Sequence, residues 1–123
     1  VKTPLQNGEN FYGPDAARRA IEDKALDCLM PDVERIGGVS GWMRTAKIAE
    51  DAGIPVSSHL FPEFSSHLLA ATPAAHWLEF TDWSAPLLEN PVTVTDGHVH
   101  VSDAPGAGIA WNEDAVEKYS VAI

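Results

Sequence analysis

Four residues of this chain have the types and the spacing for proton-transfer chemistry: Glu9, Asp32, His59 and Glu79, separated by 23, 27 and 20 residues. Each closes a short strand-like run. Glu9 follows Pro4-Leu5-Gln6-Asn7-Gly8, Asp32 follows Leu29-Met30-Pro31, His59 follows Val56-Ser57-Ser58, and Glu79 follows His76-Trp77-Leu78. The intervals are the length of a strand, a helix and two loops, so one repeated strand–helix unit would bring all four to a single rim.

Among the four, only the imidazole of His59 titrates near neutral pH without help, which makes it the candidate general base or acid. Asp32, one strand earlier on the same rim, is placed to bond one ring nitrogen, fix the tautomer and stabilise the imidazolium. Glu9 suits a hard cation, although one carboxylate alone is not a magnesium site. Glu79, if it kept or shared a proton, could donate a hydrogen bond to negative charge developing on a substrate carboxylate. Taken singly, each has a plainer reading: a satisfied structural histidine, a turn-capping aspartate, an exposed loop acid, and a glutamate paired with a surface lysine. Their coincidence at equivalent positions of one repeat favours the chemistry.

The elements that must position them are legible in outline. Strands are expected over Thr3–Gln6, Leu26–Met30, Ile54–Ser58 and Ala75–Leu78. Gly13-Pro14-Asp15 opens a helix running to about Lys24. A glycine-rich turn, Ile36 to Gly41, precedes a helix from Trp42 to Ala52 with Trp42, Ala46 and Ala49 on one face, capped by Gly53. Pro62 to Ala71 is helical in pattern and is stopped by Thr72-Pro73. After Phe80 the character changes. Val92 to Val101 alternates on either side of Asp96-Gly97, the signal of a hairpin with a type I′ turn, and Asn112 caps a short final helix.

Other features carry less. His98 and His100 share a hairpin face without a third ligand. Gly37-Gly38 lacks a phosphate-binding pattern, and Ser57-Ser58 lacks a nucleophile elbow. His67 and His76 read as packing residues, and the four tryptophans as core and interface.

The 123 residues make one domain's length, with 18 acidic against 8 basic residues and a formal net charge of −10. That balance, with no Lys/Arg cluster, argues against nucleic-acid binding. No run approaches the ~20 apolar residues of a membrane span. The single cysteine, Cys28, lies in an apolar run and reads as a buried thiol in a reducing compartment, hence a cytoplasmic setting. About three and a half strand–helix units cannot close a barrel, and a parallel sheet needs covering on both faces. Together with a start at Val1 that enters directly into a strand, this leads to the expectation that the chain is part of something longer.

The words Gly8-Glu9-Asn10, Met30-Pro31-Asp32, Arg35-Ile36-Gly37-Gly38-Val39, Ser57-Ser58-His59-Leu60-Phe61 and His76-Trp77-Leu78-Glu79, in that order, resemble the C-terminal half of the enolase superfamily. The likeness is to its mandelate racemase subgroup and continues through Ser66 to Pro73 and Pro105 to Ile109. The resemblance implies an α/β fold: strands 5 to 8 of a modified (β/α) barrel over residues 1–80, then a tail, 81–123, whose hairpin and short helix return to a capping domain. It implies that Glu9 is one ligand of Mg²⁺, the other ligands lying in an N-terminal part not present here. His59 and Asp32 match the family's proton-moving dyad, and Glu79 the acid that hydrogen-bonds the enolate.

The activity so implied is removal of the proton α to a carboxylate to give a metal-stabilised enolate, on a small 2-hydroxy acid or acid sugar. A mandelate racemase-like racemase is the first expectation and an acid-sugar dehydratase of the same subgroup the alternative. The isolated chain is expected to be inactive without its N-terminal half or a companion chain, and the whole protein to be a homo-oligomer. An expectation of another class is a non-catalytic fragment whose open strand edges make it an association module.

Overall fold

In the computed structural model, which describes residues 2–121, four short extended segments run parallel in chain order. The ends of the two expected units at Val1 and at Ala122–Ile123 lie outside the described residues. Strand β1 (Gln6–Asn7) pairs with β2 (Cys28–Leu29) in the register Gln6 to Cys28 and Asn7 to Leu29. Single parallel bridges extend the series from Leu29 to Val56, from Asp32 to His59 and from Val56 to Ala75. The regular strands are therefore shorter than the sequence pattern suggests. Pro4, Pro31 and Pro55 each lack the N–H that a ladder needs, and the Leu5 amide donates to Asp27 Oδ2 at 2.8 Å. What remains is enough to hold the segments side by side: Ser57 N donates to Leu29 O at 2.8 Å, His59 N to Pro31 O at 3.2 Å and Ser58 N to Trp77 O at 2.9 Å.

Helices join these segments. Helix α1 (Pro14–Glu22) begins as expected, with Pro14 in its first turn and Asp15 at the positive end of its dipole. Helix α2 (Gly38–Ala52) starts four residues earlier than the sequence suggests, inside the glycine-rich turn. The reason is tertiary. A Cβ on Gly41 would collide with the Ile36 carbonyl, so the helix's first turn can close over that backbone only with glycine there. Its far end is as expected, with Gly53 in the left-handed region at φ 68°. Trp42, Ala46 and Ala49 form the buried face, packed with Leu26, Leu29, Ile36, Val56, Leu68 and Leu69 in the core. Helix α3 (Pro62–Ala70) ends before Thr72, whose hydroxyl accepts the Trp42 Nε1–H at 3.1 Å and donates to Leu68 O. One bond thus ties α2 to the end of α3.

The remaining segment has less core of its own. Strands β3 (Val94–Thr95) and β4 (His98–Val99) form the expected hairpin, with Asp96 at φ 51° and Gly97 at φ 76°, the pair of positive values a type I′ turn requires. Helix α4 (Glu113–Tyr119) is capped by Asn112, which accepts the Ala115 amide at 3.1 Å. A 3-10 turn at Ala85–Leu87 leads to Leu88, the one buried apolar residue among the described residues of this tail, bridged to Trp111. Of the four tryptophans only Trp42 is core; Trp77, Trp83 and Trp111 are exposed. His67 is half-buried in α3 and His76 is exposed.

Candidate active site

Asp32, His59 and Glu79 follow the second, third and fourth parallel segments, and Glu9 follows β1, so all four emerge at one end of the sheet. Three are in direct contact. His59 Nδ1 lies 2.9 Å from Asp32 Oδ2, and Nε2 lies 3.2 Å from Glu9 Oε2. The imidazole is therefore held edge-on between two carboxylates, with its side chain 13% exposed, that of Asp32 3% and that of Glu9 45%. The ring can be reached, its orienting partner is sealed off, and the outer carboxylate faces solvent.

Asp32 is fixed by its own turn. Its Oδ1 accepts the amides of Glu34 at 2.9 Å and Arg35 at 3.1 Å, leaving Oδ2 for the imidazole. Burial pushes this carboxyl up. The hydrogen bonds from His59, Arg35 and Glu34, with the Arg35 charge, outweigh burial and hold it below the usual carboxylate range. An Asp32 that stays ionised selects the tautomer with the proton on Nδ1. Nε2 then faces the rim, beside the Glu9 carboxylate.

Glu79 reaches the group differently. Its Oε2 accepts the Leu60 amide at 2.7 Å, and its own amide donates to Ser58 Oγ at 2.9 Å. It is thus anchored one residue beyond His59. Sequence reasoning did not assign functions to Ser58 or Arg35. The Arg35 guanidinium donates to the Glu9 carbonyl at 3.0 Å and so pins the loop that carries Glu9. The only signal for these was their presence in the quoted words; neither contact follows from spacing.

Glu9 is the residue whose chemistry fits a hard cation: an oxygen donor, half-exposed, at the rim, with Oε1 accepting from the neighbouring Asn10 side chain at 2.9 Å. Among the described residues no group of three or more His, Cys, Asp or Glu side chains is arranged to enclose an ion. A groove of about 500 Å³ lies elsewhere, between α3, the Trp77–Phe80 segment and the hairpin.

Residues 1–115 match the family model described as enolase C-terminal domain-like. The L-talarate/galactarate dehydratase of Salmonella typhimurium is 32% identical over 115 residues, covering 94% of this chain and 29% of that protein. The D-xylonate dehydratase of Haloferax volcanii is 31% identical, covering 97% of this chain and 31% of its own length. A solved enolase structure from Bradyrhizobium, complexed with magnesium and mandelic acid, superimposes with a TM-score of 0.93 at 45% identity, over 99% of this chain and 34% of that one. The chain spans about a third or less of the proteins it matches. It belongs to the enolase C-terminal domain-like family, and its α/β fold is the one the sequence words imply.

Proposed function

We propose that this member of the family forms part of an acid-sugar dehydratase, which removes the proton α to a carboxylate and then expels the β-hydroxyl. The observation that carries the reading is the His59 ring fixed by the buried Asp32 carboxylate with Nε2 directed to the rim. The elimination step is favoured over racemisation because both curated relatives described above are dehydratases.

His59 Nε2 takes the α-proton while the C–H electron pair moves into the substrate carboxylate, giving an enediolate. The Nδ1–H to Asp32 bond stabilises the imidazolium as it forms. The imidazolium then returns its proton to the departing β-hydroxyl, which leaves as water, and the resulting enol tautomerises to a 2-keto-3-deoxy acid. Glu79, when it carries a proton, hydrogen-bonds the enediolate oxygen. Magnesium, when bound through Glu9 and ligands from outside this chain, supplies charge that stabilises the enediolate. Residues 1–80 are the catalytic half-barrel in this reading. The tail from 81, in which Leu88 is buried against its own chain, returns toward a capping domain in this reading.

A racemase is the second reading, favoured by the mandelic acid in the Bradyrhizobium structure. It uses the same enediolate, with a second base on the opposite face. The test is incubation of the whole protein with Mg²⁺ in deuterated water. Formation of a 2-keto-3-deoxy acid supports the dehydratase. Deuterium at the α-carbon of both enantiomers of a 2-hydroxy acid, without keto product, supports the racemase. Exchange that survives His59→Asn on both faces would refute the base assignment.

A further inference from the structure

Directly after His59 the backbone passes through two consecutive left-handed residues, Leu60 at φ 51° and Phe61 at φ 48°, neither of them glycine. L side chains disfavour this region, and two in succession do not persist unless their surroundings hold them. The surroundings here can be named. The Leu60 amide donates to Glu79 Oε2 at 2.7 Å, and the Leu60 carbonyl accepts the Ser65 hydroxyl at 2.8 Å. The Phe61 carbonyl accepts the amides of Ser65 at 2.8 Å and Phe64 at 3.0 Å. Ser65 is fully buried in the first turn of α3. Phe61 is the N-cap residue of that helix and offers no side-chain cap, so the turn's order comes from these bonds.

We infer that Ser65 is a positioning residue for His59, and that Glu79 shares this duty through its bond to the Leu60 amide. The strained turn is the hinge from which the imidazole projects. Upstream, His59 is tied by its own amide to Pro31 O at 3.2 Å, and its ring is tied to Asp32 and Glu9; downstream, the Leu60–Phe61 turn sets the backbone direction at His59. Releasing the Leu60 carbonyl lets the turn relax toward negative φ, and because α3 and the parallel segment are both anchored, the change in backbone direction is taken up at His59 and loosens the ring's bond to Asp32. A small displacement of a catalytic group costs far more in rate than in binding.

This inference rests on the reading of His59 as the base, so its test includes a readout that does not depend on turnover. In the whole protein, Ser65→Ala is expected to lower kcat for α-proton exchange about 10- to 100-fold with KM little changed. The downfield imidazole N–H resonance of the His59–Asp32 bond should broaden or vanish. Adding Leu60→Gly, which adopts positive φ without strain, should restore part of both. Should Ser65→Ala not fold, Glu79→Gln keeps an oxygen for the Leu60 amide and should retain the resonance, whereas Glu79→Leu should lose it. An unchanged resonance in Ser65→Ala, or equal loss in both Glu79 variants, overturns the inference. Failure of His59→Asn to affect exchange would instead overturn the proposed function and leave the resonance result standing.

Discussion

Replacing Asp32 by asparagine tests the proton chemistry with little change of shape. The asparagine oxygen can keep the amides of Glu34 and Arg35 at 2.9 and 3.1 Å, so the turn is preserved. The amide nitrogen then faces His59 Nδ1 at the 2.9 Å now occupied by Asp32 Oδ2. Two donors cannot oppose each other, so the ring must move its proton to Nε2, the nitrogen that should accept one. Loss of a hydrogen bond to a charged acceptor is worth about 1.5–3 kcal/mol, which corresponds to about a 10- to 150-fold loss of rate. The wrong tautomer adds to this, and the same exchange in a Ser-His-Asp triad costs about 10⁴-fold, which sets the upper end. The assay is α-proton exchange into deuterated water by the whole protein, beside a urea unfolding curve of each variant. A normal exchange rate in a folded Asp32→Asn protein would refute the reasoning. Loss of exchange matched by a collapse of the unfolding midpoint would show Asp32 to be structural only.

The same carboxylate gives a pH signature. Because its folded-state pKa is depressed, Asp32 contributes stability above the ordinary carboxylate range, and that contribution is lost as pH falls through the folded value. The gap in urea midpoint between the native protein and Asp32→Asn should therefore narrow below about pH 4. Thr72→Val leaves the buried Trp42 Nε1–H without its acceptor at 3.1 Å and should cost about 1–3 kcal/mol, followed by tryptophan fluorescence in urea. Gly41→Ala puts a methyl 2.7 Å from the carbon of the Ile36 carbonyl, and overpacking of this kind should cost about 1–3 kcal/mol in the same titration.

What could be read from the residues was whatever local chemistry decides. Asp96-Gly97 gives its hairpin because both residues tolerate positive φ, and Gly53 ends α2 for the same reason. The start of α2 was not legible, because glycine reads as a turn-former. Gly41 is needed instead for the approach to Ile36, a contact no local pattern encodes. The parallel strands were overextended because short apolar runs were visible while the missing donors at Pro31 and Pro55 cut the ladder short. For the site, spacing brought Glu9, Asp32, His59 and Glu79 to one rim but could not say which would touch. That His59 lies between Asp32 and Glu9, while Glu79 binds the Leu60 amide, is set by side-chain directions and tertiary ties. Neither Leu60 nor Phe61 signals a left-handed turn; Ser65 and Glu79 impose it.

Charge at the rim gives the cation its most general reason. Within one small cluster stand three carboxyl groups, Glu9, Asp32 and Glu79, and one guanidinium, that of Arg35. The guanidinium donates to the Glu9 backbone carbonyl, and it is the Arg35 amide that bonds Asp32. A carboxylate substrate brought to about 4 Å from an ionised carboxylate meets repulsion of about 4 kcal/mol per pair at the effective dielectric of a protein surface. The overall net charge of −10 adds to it at long range. In the proposed reading, a divalent cation on Glu9 would reverse the sign of the field where the substrate's negative charge must sit, and would serve binding as well as the proton step. A substrate analogue with no acidic α-hydrogen should show the same magnesium dependence in its affinity as the substrate shows in its turnover.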